Sequence, residues 1–235
     1  MSNPRLCVGL DLDRGDKEDT FDIIKQTRNF AGWYKLNPAF FMDRLGLLQD
    51  YLESTIYYIK DFAPNSKILY DAKFGDVPHT NQRYYEYVYN YLGAQGLTLN
   101  PYMGNEGFDG FVHIYEPLEL FMWCYPTHRQ SMAFDLENGN LWRKIWRMIE
   151  KKRKMNPAGV IVGANRVDRI KEIARNSDIP ILAPGVGHQA GRIKPTAQYP
   201  NVIYSMSRSV IYADKPYDVM AMYEEELMNN EDNPR

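Results

Sequence analysis

Cysteine is scarce in this chain of 235 residues, which contains only Cys7 and Cys124. Each lies in an apolar run typical of a strand, where a thiol behaves as a small hydrophobic side chain. Two isolated cysteines supply neither a disulfide framework nor the paired spacing of a zinc site. The four histidines also show no shared metal-ligand spacing. The composition therefore argues against a disulfide-stabilised scaffold, and no metal site is predicted.

Long apolar runs and an excess of one charge are missing as well. No run approaches the roughly 20 residues needed to cross a bilayer, and the first five residues have no apolar signal core. The 28 basic and 30 acidic residues leave a formal net charge of -2, which gives no general attraction to nucleic acid or to an anionic membrane. We therefore expect a cytoplasmic protein that binds neither, and a small anion would need a local site.

The chain also lacks a G-x-G-x-x-G turn after its first apolar run, so a dinucleotide-binding fold loses its usual signature. Instead, short apolar runs alternate with helical segments, which favours a parallel sheet with crossover helices. Eight such units in this length predict an α/β protein with a closed (β/α)8 TIM barrel. The predicted strands are 6–11, 32–36, 67–72, 96–99, 118–124, 159–162, 179–183 and 202–205.

The barrel is expected to form a single domain over residues 1–228, followed by a disordered tail at 229–235. The seventh strand is followed by a Gly- and Pro-containing loop with little room for a long helix. The predicted helices are 17–30, 44–60, 80–92, 141–153, 167–175 and 216–228, with a weaker one around Gly107.

The predicted third strand ends in charged residues. Asp71 and Lys73 are two positions apart, so their side chains share one face of the strand. Charged side chains are rarely buried unless they are paired, and the two should therefore meet in one pocket. The strand is expected to end before Gly75. Asp76 therefore lies in the following loop, which can place it over the pocket or at a neighbouring subunit. An isolated D-x-K pattern is more often a surface ion pair, but the rest of the chain favours a catalytic role here.

Polar residues also follow the other predicted strands. In a barrel, active-site groups gather at the carboxyl ends of the strands and in the loops after them. We therefore expect one cleft to collect these side chains. They are Asp11, Asp13, Lys35, Asn37, Asn100, Thr127, His128, Asn165, the segment from Pro184 to Gln189, Ser207 and Arg208.

The last two strands end in features that suit a phosphate. Gly185 and Gly187 lie in a turn whose backbone N–H groups could approach an anion. Arg208 follows the eighth strand and carries a fork of donors that matches phosphate oxygens. Because the loops after strands seven and eight form the recurrent phosphate site of such barrels, we predict phosphate binding there.

Seven motifs follow one another along nearly the whole chain. They are Gly9-Leu10-Asp11, Lys35-Leu36-Asn37-Pro38, Asp71-x-Lys73-x-x-Asp76-Val77-Pro78-x-Thr80, Asn100-Pro101-Tyr102-Met103-Gly104, Gly159-Val160-Ile161-Val162-Gly163, Pro184-Gly185-Val186-Gly187-x-Gln189 and Arg208-Ser209. In this order they resemble the orotidine 5′-monophosphate decarboxylase family. The central motif is shared with sister phosphate-binding barrels, whereas the complete series is highly specific.

The resemblance implies a homodimer that decarboxylates orotidine 5′-monophosphate to uridine 5′-monophosphate without a cofactor. Lys35, Asp71, Lys73 and Asp76 would form an alternating charged network, with Lys73 as the proton donor to C6 of the pyrimidine. Asp76 and Thr80 would complete the partner's site. The other implied substrate-binding residues are Asp11 at the ribose, Thr127 at the base, Pro184, Gln189 between base and phosphate, and Ser207 and Arg208 at the phosphate.

Remote phosphate binding can hold a loop closed over a substrate and exclude water. We predict that residues 188–196 form such a loop. Two positions depart from the family pattern. The residue before the phosphate-binding arginine is usually glycine and is Ser207 here, and the base-contacting serine corresponds to Thr127.

Two other functions stay open. A sister lyase that acts on a sugar phosphate with Mg²⁺ would want an acidic metal ligand at the end of the second strand, where this chain has Lys35. A catalytically silent nucleotide-binding barrel is the second alternative, although no member of the charged network is missing.

Overall fold

The structure, a computed structural model, describes residues 2–12, 17–41, 48–111, 118–128, 140–152 and 157–231. Eight parallel strands form a closed barrel in chain order, in which β1 pairs with both β2 and β8. The predicted (β/α)8 TIM barrel is confirmed. The strands are β1 (Asn3–Gly9), β2 (Ala31–Leu36), β3 (Lys67–Phe74), β4 (Gly96–Leu99), β5 (Glu119–Tyr125), β6 (Ala158–Val162), β7 (Ile181–Pro184) and β8 (Val202–Met206).

Helices cover the outside of the barrel. Short 3₁₀ helices also occur at Pro38–Phe40 and Lys194–Thr196, and α3 continues as a π-helical segment at Glu86–Tyr91. The α-helices are α1 (Lys17–Thr27), α2 (Leu48–Phe62), α3 (Pro78–Tyr85), α4 (Glu106–Asp109), α5 (Leu141–Lys152), α6 (Val167–Asn176), α7 (Arg208–Ile211) and α8 (Pro216–Glu231). No helix in these described ranges is both long and apolar enough to cross a membrane.

The barrel interior changes from apolar to polar along the strands. A buried cluster of inward-facing side chains fills its lower part: Cys7, Trp33, Leu69, Phe121, Ile161 and Leu182. Because alternate residues of a strand share a face, the next inward positions on β2 and β3 are Lys35 and Asp71. The apolar layer therefore forms a floor beneath a charged layer, and it excludes water from below. A second, larger apolar cluster packs the helices against the outside of the strands.

The observed elements agree closely with those predicted from the sequence. The third strand is longer than predicted, because it runs to Phe74 and so includes Lys73. The first strand ends at Gly9, two residues before the predicted limit at Asp11. After β7 the described chain forms only a 3₁₀ turn before β8, as the loop composition indicated.

The last helix is longer than the sequence predicted. Helix α8 continues to Glu231, three residues past the predicted boundary at 228. Near the end of this helix, the side chain of Asn230 donates a hydrogen bond to the Glu226 carbonyl at 2.6 Å. Residues 232–235 of the predicted tail lie outside the described residues.

Candidate active site

A cavity of about 420 Å³ opens at the carboxyl ends of the strands. Most of the residues predicted to share a cleft line this cavity, together with apolar residues that the motifs did not single out. The predicted residues Asn100, His128 and Asn165 are described but are not among those that line it. Its lining residues are Asp11, Lys35, Asn37, Phe40, Asp71, Lys73, Trp123, Thr127, Ile161, Leu182, Pro184, Gly185, Val186, His188, Gln189, Ser205, Ser207 and Arg208.

Lys35 joins two carboxylates at the bottom of the cavity. Its Nζ lies 3.0 Å from Oδ1 and 3.1 Å from Oδ2 of Asp11, and 3.1 Å from Oδ2 of Asp71. The side chains of Lys35 and Asp71 are 8% and 10% exposed, so this is a nearly buried ion cluster. Buried charges persist when each is paired and hydrogen-bonded, and this cluster meets that condition. It therefore gives the cavity a fixed charged wall.

Lys73 adds a second ammonium on the other side of Asp71. Its Nζ lies 2.8 Å from Oδ1 of Asp71, while its side chain stays 33% exposed to the cavity. The Lys73 ammonium also lies 5.7 Å from the centre of the Trp123 ring, within the range of a cation–π interaction. Lys73 is thus held on one side and open on the other, as a group that acts on a ligand must be.

The charges around Asp71 decide its ionisation. Burial alone raises the pKa of Asp71, but the ammonium groups of Lys35 and Lys73 and their hydrogen bonds outweigh burial and hold the pKa below its ordinary value. For Lys35, burial lowers the pKa, but Asp11 and Asp71 outweigh it and raise the pKa above its ordinary value. Asp71 is therefore an anion, and Lys35 a cation, across the physiological pH range.

Beneath these charges lies a thiol that the sequence identified only as apolar. Cys7 is fully buried and pairs in register with Ser205 of β8. Burial raises the pKa of the Cys7 thiol to about 12, although the nearby Lys35 ammonium opposes this. The thiol is therefore neutral, and it packs below the ion cluster without adding charge.

Asp76 and Thr80 are not among the described residues that line this cavity. Asp76 is instead fixed by Asn81, whose buried side chain accepts a hydrogen bond from the Asp76 amide at 3.0 Å and donates one to the Asp76 carbonyl at 2.6 Å. Asn81 also donates to the carbonyl of Gly107 at 3.2 Å, which ties this loop to α4. The loop after β3 is therefore braced in a position outside its own cavity.

The part of the cavity wall that follows β8 carries polar groups without partners among the described residues. The Arg208 guanidinium is exposed there and has no ion pair among those residues, and the buried Ser207 hydroxyl has no hydrogen-bond partner among them. The Ser209 hydroxyl, one residue past Arg208, is also buried without a partner among them. Buried polar groups normally have partners, so this corner has the character of an anion site. Ser207 has φ of -131°, outside the left-handed region, so its side chain is accommodated where the family pattern has glycine.

The predicted use of the turn after β7 needs a correction. The amides of Gly185 and Gly187 do not point freely at an anion, because they donate to Ser205 O at 3.1 Å and Gly191 O at 3.0 Å. The turn folds back on itself and uses its own N–H groups. Gly187 has φ of +78°, and a Cβ atom there would lie 2.6 Å from the Tyr223 hydroxyl. Glycine is needed at this position for backbone conformation and close packing.

Part of the segment predicted to close, residues 188–196, is buried in the barrel. Its carboxyl end is anchored, since Ile193 and Thr196 are 0% and 1% exposed. The Thr196 hydroxyl lies 3.0 Å from the Tyr204 hydroxyl. Only the segment 187–190 is continuously exposed at the cavity mouth, and it includes Gln189. A closing movement would therefore involve this turn and leave 193–196 in place.

Three further predicted site residues have different positions. Asn165 lies beside the cavity, where its side chain donates to the Thr127 carbonyl at 3.3 Å. Asn37 caps the 3₁₀ helix through a bond from the Ala39 amide at 3.1 Å. Asp13 lies outside the described residues. Sequence reasoning missed Trp123 and Thr98, which both look like ordinary members of apolar strands.

The family model and the similar proteins all point to one enzyme family. The family model described as orotidine 5′-phosphate decarboxylase / HUMPS family matches residues 4–223. An orotidine 5′-phosphate decarboxylase of Porphyromonas gingivalis is 29% identical over 231 residues, which cover 89% of this chain and 83% of that protein. One from Delftia acidovorans is 28% identical over 244 residues, covering 92% and 87%. The solved structure of Leishmania donovani OMP decarboxylase superposes with a TM-score of 0.85 at 23% identity, covering 97% of this chain and 94% of that one.

Proposed function

The chain belongs to the orotidine 5′-phosphate decarboxylase / HUMPS family, as a carboxy-lyase that forms uridine 5′-monophosphate, and we propose that Lys73 is its proton donor. The observation that carries this proposal is the placement of the Lys73 ammonium, 2.8 Å from Asp71 and open to the cavity that Arg208 also lines. No cofactor takes part in the proposed reaction.

Loss of CO₂ breaks the bond at C6 of the pyrimidine and leaves an electron pair on that carbon. No adjacent carbonyl can accept the pair, so it must be stabilised electrostatically. A preorganised ammonium near C6 does this strongly in a site that excludes water. Lys73 then transfers one proton to C6, which completes uridine 5′-monophosphate, and the neutral amine regains a proton from solvent. Asp71 and Lys35 keep the ammonium oriented throughout.

The remaining cavity residues are proposed to bind the nucleotide. Asp11 and Lys35 would contact ribose hydroxyls, and Thr127 and Pro184 would border the base. Gln189 would bridge base and phosphate from the exposed turn, so its position depends on closure of that turn. The Arg208 guanidinium, which has no ion pair within the described part of the chain, and the Ser207 residue beside it support phosphate binding at this wall.

The first alternative, a Mg²⁺-dependent lyase that acts on a sugar phosphate, would need metal ligands where this chain has its buried ion cluster. In this chain the Lys35 ammonium lies between the carboxylates of Asp11 and Asp71. A divalent cation would have to displace that ammonium to reach the same oxygens. The geometry therefore favours the decarboxylase chemistry.

Purified protein mixed with orotidine 5′-monophosphate should consume it, with loss of substrate absorbance, at the same rate with and without a strong chelator. The expected rate is equal because charge stabilisation comes from Lys73. Turnover that the chelator abolishes and added Mg²⁺ restores would support the lyase alternative. Nucleotide binding without turnover would support the silent barrel.

The proposal includes a homodimer in which Asp76 and Thr80 complete the partner's site. Its support is their position outside their own cavity, on a loop braced by Asn81. Tyr102, in the loop after β4, is 93% exposed, and a second copy that covered this face would bury a large aromatic side chain. In a two-fold dimer the same contact occurs twice, so each site would gain one carboxylate from the other chain.

Complementation between inactive variants tests this shared site. Lys73→Ala and Asp76→Ala chains, co-expressed with different tags and purified through both, should regain about half of wild-type activity per dimer, because one site has all its residues. Lys73→Ala paired with Lys35→Ala is the matched control and should stay inactive, since both residues belong to the same side of the site. An inactive Lys73→Ala/Asp76→Ala dimer would contradict the exchange of Asp76.

We also propose that the barrel acts as one domain in the cytoplasm. Cys7 and Cys124 are buried free thiols, as is usual where disulfides are kept reduced. The closure of β1 on β8 joins the two ends of the described chain in one sheet.

A further inference from the structure

Thr98 of β4 contacts the two functional residues of β3 through a single hydroxyl. Its Oγ1 accepts a hydrogen bond from the Lys73 amide at 3.0 Å and lies 2.7 Å from Oδ1 of Asp71. The Asp71 carboxylate can only accept, so the Thr98 hydroxyl donates to it. Thr98 is 0% exposed and is not among the described residues that line the cavity. It therefore contacts two residues that line the cavity without lining it itself.

The pairing of β3 with β4 is irregular at this point. Tyr70 pairs with Leu97 and Phe74 with Leu99, so three residues of β3 lie opposite Thr98 alone. An extra length of strand of this kind bends the chain and leaves backbone groups without their regular partners. Such irregularities commonly redirect a side chain next to an active site.

Lys73 lies in this irregular stretch with φ of +53°, the left-handed region that side chains other than glycine's rarely adopt. The side chains of Thr98 in β4 and of Asn100, just after β4, hold it there. Thr98 accepts from its N–H, and Asn100 donates to its carbonyl through Nδ2 at 3.0 Å. Gly75 permits the approach of Asn100, since a Cβ atom on Gly75 would lie 2.6 Å from Asn100 Nδ2. Both polar groups of the Lys73 backbone therefore depend on side chains at the carboxyl end of β4 and directly after it.

We propose that Thr98 is a positioning residue: its hydroxyl holds the Lys73 backbone in the left-handed conformation and orients Asp71 between the two lysines. The inference rests on the proposed role of Lys73. A backbone conformation that is intrinsically unfavourable persists only where its surroundings fix it. Without the hydroxyl, Lys73 can relax and carry its ammonium away from the reacting carbon.

Thr98→Val keeps the shape and removes the hydroxyl. We expect kcat to fall about 10- to 100-fold, because small displacements of a reacting group cost this much, while KM changes by less than about threefold. Asp71 also loses a hydrogen bond that favours its carboxylate form. The acid limb of the kcat–pH profile should therefore move to higher pH, because loss of that bond raises the pKa of Asp71.

Thr98→Ser and Thr98→Ala are two further variants, whose side chains differ only in the hydroxyl oxygen. They keep the test valid if the valine variant does not fold. Serine should retain kcat within about threefold of wild type and alanine should not. Thr27→Val is the matched control for loss of a buried hydroxyl. Thr27 is 0% exposed and its hydroxyl also has two partners, Ile23 O and the Tyr34 hydroxyl, both at 2.8 Å. This control should lower thermal stability and leave kcat and its pH profile unchanged.

A kcat of Thr98→Val or Thr98→Ala close to wild type would overturn the proposal, and so would a serine variant as slow as the alanine variant. A crystal structure of Thr98→Ala tests the positioning itself, independently of activity. The expected result is Lys73 with negative φ and its Nζ displaced from Asp71, and an unchanged Lys73 would contradict the inference. If the wild-type protein did not decarboxylate its substrate, the proposed function would fail while this structural test would still stand.

Discussion

Replacement of Lys73 by alanine should lower the rate of decarboxylation at least about 1,000-fold, because it removes both the charge that stabilises the carbanion and the proton that quenches it. Uridine 5′-monophosphate should still bind, since Arg208 and the rest of the cavity wall are intact. The measurements are kcat from substrate absorbance and product affinity by titration calorimetry. Lys73→Arg should be almost as slow, since a guanidinium keeps the charge but does not release its proton.

Lys67→Ala is the matched control for this experiment. Lys67 lies on the same strand, but its side chain is 51% exposed and pairs with Glu119 away from the cavity. Exposed ion pairs contribute little to stability, so this variant should retain wild-type activity. Near wild-type turnover in Lys73→Ala would contradict its role as the proton donor. Loss of activity in Lys67→Ala would show that substitutions on β3 reduce activity nonspecifically.

Removal of the phosphate from the substrate should lower turnover as well as affinity. Binding energy from a remote, non-reacting group can hold the site closed and pay for orientation at the reacting carbon. The nucleoside orotidine should therefore show a much lower kcat than its 5′-monophosphate, by roughly 100-fold or more. A kcat for orotidine equal to that for the nucleotide would contradict a phosphate-driven closure of the turn at 187–190.

Arg208→Ala separates the phosphate contact from general damage. The variant should lose kcat/KM strongly with orotidine 5′-monophosphate, because a charge-assisted contact to phosphate is removed. It should behave like wild type with orotidine, which has no phosphate to bind. Arg147→Ala, an exposed arginine on α5, should match wild type with both substrates. Equal losses of Arg208→Ala on the two substrates would place Arg208 outside the phosphate site.

The sequence predicted the barrel and the main charges because both follow local rules. Alternation of strands and helices defines the fold, and the two-residue spacing of Asp71 and Lys73 puts both on one face. Lys35 contacts Asp71 because it faces the barrel interior on β2 and pairs with Leu69 of β3. Asp71 is the next inward-facing residue of β3 after Leu69. These features need only periodicity and the geometry of a closed parallel sheet.

Features that depend on irregular backbone were not predictable in this way. The proposed role of Thr98 arises from the register shift between β3 and β4. No local sequence pattern predicts such a shift. The amides after β7 were predicted to be free for an anion, but the turn satisfies Gly187 with the carbonyl of Gly191. That contact requires the chain to reverse between them. Trp123 looked like one more apolar strand residue until its ring was placed beside the Lys73 ammonium.

The central claim is that the Lys73 ammonium reaches C6 while Arg208 binds the phosphate of the same nucleotide. A crystal structure with uridine 5′-monophosphate bound measures both contacts at once. We predict a distance of about 3–3.5 Å from Lys73 Nζ to C6, the separation of reacting atoms in a productive complex, with the phosphate on the Arg208 guanidinium. A bound nucleotide whose C6 lies beyond the reach of Lys73, or whose phosphate lies away from Arg208, would contradict the account.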